Sequence, residues 1–196
     1  MTGIFAWNAK TPPLEPLRDA VARLEARGLA CALGGSGLLA ALRLADAVRD
    51  WDLTTDAPIE AVRDALAGVA STWKGSDEVH ADQKLMLAGG LVEVIVGFAF
   101  HVGGRVVRIP TVVAGRRGGV PIGSVEAWAA AYALLGREAK SERLFARLEE
   151  RGADPAVLDR LLAEPLPDSL ARRLSALPRA AQPPAASDSK AGPEIE

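Results

Sequence analysis

The 196-residue sequence is poor in reactive and signalling residue types: one cysteine, one tyrosine, two histidines, two methionines and a formal net charge of only −2. A single cysteine excludes an intramolecular disulfide framework and a cysteine-rich zinc site. Cys31 lies in the apolar run LACAL, where it reads as a small buried residue rather than a nucleophile. His80 and His101 stand apart, without ligand spacing, and read as ordinary histidines rather than metal ligands. The near-neutral charge argues against a strongly basic nucleic-acid binder, although Arg116 and Arg117 adjoin in a glycine-rich loop and leave room for a local basic patch. No run of eighteen apolar residues and no N-terminal signal pattern occurs. A cytoplasmic protein without a membrane partner is expected.

What the sequence does have is apolar content, 49% of its residues, enough to bury a core in one domain with an extension. Arginine outnumbers lysine and alanine is abundant, the composition of a GC-rich bacterial gene. Residues 12–28 place Leu14, Leu17, Val21 and Leu24 on one helical stripe between Pro12-Pro13 and Gly28. LACAL reads as a buried strand, LLAALRL as a short helix and DWDLT as a second strand. Asp56 is placed to cap the next helix. From 69 to 113, VASTW, KLMLA, LVEVIVGFAF and RVVRIPTVV are strand-like, with AGGL at 88–91 a hairpin turn. Helical patterns return at 124–135 and 138–151, then from Pro155 and from Pro167. The expectation is an α/β (α+β) fold: a small mixed-sheet core over 1–123 and a helical region over 124–177. Residues 178–196, rich in Pro, Ala and Ser, are expected to be a disordered tail.

The chemistry concentrates in GGSGLLAALRLADAVRDWDLTTD, residues 34–56. GSGLLA matches a dinucleotide-binding fingerprint between strand and helix, but acidic residues open the second strand and the later chain runs into hairpins, unlike a Rossmann domain. A serine-hydrolase elbow requires glycine two places after the serine, where Leu38 stands. The third reading is nucleotidyl transfer. A Gly-Ser turn at a helix N-terminus offers backbone N–H groups and a hydroxyl to a triphosphate. Asp50 and Asp52 alternate on a strand, so both carboxylates share a face. Carboxylates plus phosphate oxygens are the usual ligands of Mg²⁺.

These residues resemble the DNA polymerase β-like nucleotidyltransferase superfamily: Gly34-Gly35-Ser36, thirteen residues, then Asp50-Trp51-Asp52. DWDLTTDAPIEAVRDAL is similar to the head domain of tRNA CCA-adding enzymes and poly(A) polymerases. VPIGSVEAWAAAYALLGREAKSERLFARL is similar to the C-terminal helices of minimal and abortive-infection-type nucleotidyltransferases. The resemblance implies a third carboxylate on a later strand, and Glu93 interrupts LVEVIVGFAF there. Glu93 is thus either a metal ligand with Asp50 and Asp52, a solvent-facing residue, or the partner of Arg105 or Arg108. The resemblance also implies that Lys140 reaches a β- or γ-phosphate; a solvated helix lysine is the alternative. Trp128 and Tyr132, one helical turn apart, read as core packing.

The resemblance has limits. CCA-adding enzymes carry Arg-Asp where this sequence has Gly37, Leu38 and Leu39, the Glu-Asp-x-x-Arg base-selecting motif is missing, and little chain follows Gly123. tRNA 3′-end synthesis by this chain alone is therefore not expected. The expected activity is metal-dependent transfer of a nucleotide from an NTP, ATP foremost, to a hydroxyl of an RNA end, protein or small molecule. The cofactor is Mg²⁺ or Mn²⁺. A non-catalytic nucleotide-binding or antitoxin-like module on the same fold is the alternative.

Overall fold

The computed structural model describes residues 10–180. Helix α1 (Glu15–Ala26) begins once the prolines are passed, with Pro16 in its first turn, and buries Leu17, Val21 and Leu24. Strand β1 (Ala32–Leu33) is the short buried end of LACAL, and α2 (Gly35–Ala41) starts only one residue later. Strand β2 (Trp51–Thr55) and helix α3 (Ile59–Ala65) follow. Asp56 does not cap α3; Pro58 takes that position, and the Asp56 carboxylate accepts from the Thr111 N–H at 3.0 and 3.1 Å.

Strands β3 (Ser71–Lys74), β4 (Gln83–Leu87) and β5 (Val92–Val96) form a meander, with residues 88–91 turning β4 into β5 as expected. The long run LVEVIVGFAF is broken at Gly97, so its second half, β6 (Ala99–Val102), leaves to pair with β7 (Arg105–Arg108) as a separate hairpin. Strands β8 (Val113–Arg117) and β9 (Val120–Gly123) complete a seven-stranded sheet in the order β3-β4-β5-β2-β1-β9-β8. It is a mixed sheet, because β2 pairs with β5 and β1 with β9 in parallel while the remaining pairs are antiparallel.

Arg116 and Arg117 therefore belong to a strand rather than to a loop. Arg116 pairs with Glu25, and Arg117 is among the largest fully buried side chains. Together they make no exposed basic patch.

Strand alternation divides β2 and β5 cleanly. Trp51, Leu53, Val92 and Val94 are all fully buried on one face, and Asp52 and Glu93 point to the other. The helical region begins with α4 (Val125–Leu134), whose Ser124 cap accepts from the Ala127 N–H at 3.2 Å. Buried residues surround α4 on all sides, the mark of a helix enclosed by its neighbours. Helices α5 (Glu138–Arg151), α6 (Pro155–Leu162) and α7 (Asp168–Ser175) bury one stripe each. Beyond α7, Ala153 pairs with the returning chain: its N–H donates to Pro178 at 2.7 Å and its carbonyl accepts from Ala180 at 2.8 Å. Residues 181–196, most of the expected tail, lie outside the described residues. No helix among the described residues is long and apolar enough to cross a membrane.

Candidate active site

The Gly-Ser turn and β2 are locked together by close approach. The Gly34 N–H donates to the Asp52 carbonyl at 2.8 Å, which fastens the turn to the strand. A Cβ at Gly34 would lie 1.9 Å from the Trp128 indole, so α4 presses on the turn from behind. Gly35 has φ +54°, and a Cβ there would lie 1.7 Å from Asp52 Oδ2. Only glycine satisfies both the backbone and the space. Ser36 follows, half-buried, in the first turn of α2.

Asp52 sits in register with Glu93 across the parallel β2–β5 pair. Burial, then the neighbouring Asp50 and Glu93 charges, push the Asp52 carboxyl up to about 7, with Lys84 and Arg137 opposing. Three acids thus gather where the strands begin, and one of them is poised to hold a proton near neutrality.

The geometry also decides Glu93's partner. Lys84 Nζ lies 2.8 Å from Glu93 Oε1, with the two side chains only 18% and 15% exposed. Arg105 and Arg108, candidate partners on sequence grounds, lie instead on β7 in the separate hairpin. Two residues before Lys84, Asp82 is 1% exposed, and neither carboxylate oxygen has a hydrogen-bond partner. Burial pushes that carboxyl above the usual range, opposed chiefly by Lys84 and His80.

Positive charge near the aspartates comes from Lys140 on α5 and from Arg137 just before it. Lys140 Nζ lies 5.2 Å from the centre of the Tyr132 ring. Its ammonium is held below the usual lysine range by burial and then by Arg137 and Arg49, against the pull of Asp52 and Asp50. Lys140 therefore stands on the side facing the aspartates. Trp128 and Tyr132 are buried core residues as expected, and Trp128 also shapes the turn by packing on Gly34. The Tyr132 hydroxyl is buried without a partner, and burial together with the Asp52 charge drives its acidity down.

Gly35 thus lies against Asp52, Glu93 stands across from it, Asp50 and Lys140 act on it through their charges, and Ser36 follows the turn in α2. Among the described residues no group of three His, Cys, Asp or Glu side chains forms a metal site by itself. Asp50 and Asp52 suit a hard cation that takes its remaining ligands from phosphate, because their crowding is a negative excess that a cation relieves. Glu93 fits as a third ligand only by leaving Lys84. Sequence reasoning missed Lys84, Asp82, Arg49 and Arg137. The only available signal for the first two was their spacing: an acid and a lysine two apart where KLMLA begins.

No protein-family model and no curated protein sequence matches the chain. Solved structures do. The antibiotic-resistance factor ANT(2″)-Ia aligns in its solution structure at 15% identity over 83% of this chain and 80% of its own, with a TM-score of 0.43. Its crystal structure with adenylyl-2″-tobramycin gives 15%, 82%, 86% and 0.43. At that score no argument rests on either. A presumptive nucleotidyltransferase from Thermotoga maritima aligns at 23% identity over 73% of this chain and 98% of its own, with a TM-score of 0.50. The chain shares its fold with that Thermotoga maritima protein.

Proposed function

We propose that the chain is a cytoplasmic, metal-dependent nucleotidyltransferase that moves a nucleoside monophosphate from an NTP, with ATP the expected donor, to a hydroxyl acceptor. The observation that carries this reading is the contact between Gly35 and Asp52. A turn suited to a triphosphate is built directly against a carboxylate suited to its metal, with no room for a side chain between them.

The residues divide the work. The Gly34–Gly35 backbone and the Ser36 hydroxyl hold triphosphate oxygens. Asp50 and Asp52 would hold Mg²⁺ or Mn²⁺, with Glu93 as third ligand, and the bound ion would supply charge neutralisation at the phosphoryl oxygens. Lys140, with Arg137 and Arg49 beside it, compensates charge on the departing pyrophosphate. Glu93, released from Lys84, takes the proton of the acceptor hydroxyl as its oxygen bonds the α-phosphorus and the bond to the β-phosphate breaks. The acceptor class is an RNA end, a protein or a small molecule.

The Lys84–Glu93 ion pair favours a second reading, a non-catalytic nucleotide-binding or antitoxin-like module, because it neutralises one of the three acids. One pair of measurements tests both. Calorimetry of ATP binding should show affinity that requires Mg²⁺ in wild type and no longer depends on it in Asp52→Asn. Equal affinity in EDTA and Mg²⁺ for wild type defeats the metal reading. Pyrophosphate release from labelled ATP then separates enzyme from module.

A further inference from the structure

We propose that Lys84 is an exchangeable counter-ion for Glu93, and that the buried Asp82 carboxylate is the second berth its ammonium takes when a divalent cation claims Glu93. The inference rests on the metal reading of Asp50, Asp52 and Glu93 given above.

The first observation is the occupied state. Glu93 stands directly across from Asp52, where a second negative charge is unfavourable, and Lys84 holds it at 2.8 Å. A cation that takes Glu93 must break this pair. Lys84 is only 18% exposed, so its ammonium would then be left largely out of water and unmatched, which is strongly unfavourable. The pair would then oppose metal binding unless the lysine has another partner within reach.

The second observation supplies that partner. Asp82 is 1% exposed, yet Oδ1 and Oδ2 have no donor. Buried carboxylates in native proteins almost always have one. Asp82 lies in the bend just before β4 and precedes Lys84 by two residues, a separation of at most roughly 7 Å even for extended chain. The flexible four-carbon lysine stem covers that distance. Lys84 is also the foremost charge favouring the ionised form of Asp82, and Asp82 in turn acts on Lys84 alongside Glu93 and Asp52. The His80 ring, the other group that favours the ionised form of Asp82, already has its Nδ1 engaged by the Asp77 carboxylate at 3.1 Å. The berth is therefore open to Lys84. No bond is made or broken in the exchange; one ion pair replaces another. In the metal-free protein Lys84 keeps Glu93 from repelling Asp52, and in the loaded protein it neutralises Asp82.

A double-mutant cycle on metal affinity tests the exchange. Mn²⁺ is titrated calorimetrically, with a non-hydrolysable ATP analogue present, into wild type, Asp82→Asn, Lys84→Met and the double variant. Removing the berth should weaken Mn²⁺ binding about tenfold while Lys84 is present, the worth of one charged hydrogen bond. In the Lys84→Met background the same change should move affinity by less than about twofold. An equal effect in both backgrounds, or no effect in either, overturns the exchange while Mn²⁺ binding by wild type leaves the metal reading standing. Absence of Mn²⁺ binding by wild type overturns the metal reading and the exchange with it. Wild-type protein provides a second measurement free of folding defects. The ¹⁵N-ammonium resonance of Lys84 should shift when Mg²⁺ and the analogue are added, and an unmoved resonance overturns the proposal.

Discussion

The site around β2 and the outer faces of helices α5, α6 and α7 treat their charged groups in opposite ways. On those outer faces the ion pairs are exposed and matched. Arg173 pairs with Glu142 and stacks 3.8 Å over the Phe145 ring, and Arg179 meets Asp159 at 3.2 Å. Apolar stripes do the holding there: Leu144, Phe145, Leu158 and Leu161 are all 1% exposed or less. Around Asp52, by contrast, acids crowd together, and nearby Asp82 has no donor and the Tyr132 hydroxyl no acceptor. Sites built for a ligand carry such unbalanced groups, whose partners come with the ligand, at a cost in stability before it arrives. The contrast locates function more sharply than any single residue.

The largest effect that would break the contrast comes from glycine. Gly35→Ala drives a methyl into Asp52 at a positive φ, and should cost about 3 kcal/mol or more while abolishing ATP binding. Gly136→Ala, at φ +64° with nothing within 4 Å, should cost only about 1 kcal/mol, since strain alone is at stake. Similar denaturant midpoints for the two variants would show that the turn yields and is not locked.

The next effect concerns the ion pairs. Glu93→Gln in EDTA leaves the Lys84 ammonium unmatched at 18% exposure, and should lower stability by about 1–3 kcal/mol. Relief of the Glu93–Asp52 repulsion offsets part of this but does not reverse its sign, because the lysine is in direct contact. Glu142→Gln, an exposed pair in the helical region, should leave the midpoint unchanged within error. A gain in stability for Glu93→Gln would mean that repulsion among the acids outweighs the Lys84 pair.

The third effect is a pH dependence. Asp52 is an acid whose folded value, about 7, lies above its unfolded one near 3.9. The folded protein therefore holds the proton more tightly, and metal-free stability falls as pH rises through this window. Asp52→Asn lacks the effect. Its midpoint advantage over wild type in EDTA should be slight near pH 4, grow toward pH 7 and then level off. An advantage that does not change with pH would mean that Asp52 is neither buried nor crowded.

Much of this organisation was legible in the sequence where it depends on near neighbours. The helix stripes, the turn at 88–91 and the alternation of Trp51 and Asp52 are fixed by residues a few places apart, and the helices formed close to where they were expected; Asp50 falls in the bend before β2 rather than on the strand. Errors arose where a long-range pairing overrode local preference. Residues 114–123, with Gly115, Gly118, Gly119 and Pro121, look like loop, yet β9 is an interior strand because β1 offers it a parallel partner at Leu33–Ile122. Asp56 suits a helix cap by type, but the Thr111 N–H, 55 residues away, holds its carboxylate.

By itself, then, the sequence determined the chemistry on offer: a glycine turn with a serine, two alternating aspartates, and a glutamate inside an apolar strand. Periodicity and composition act along the chain, and these features are read along it. The tertiary structure alone decided how those groups meet. Parallel pairing of β2 with β5 sets Glu93 against Asp52, the β4–β5 hairpin brings Lys84 onto Glu93, and α4 wedges Trp128 against Gly34. Each contact depends on strand register or helix packing between distant segments. A shift of one residue in a strand would turn every one of its side chains to the other face.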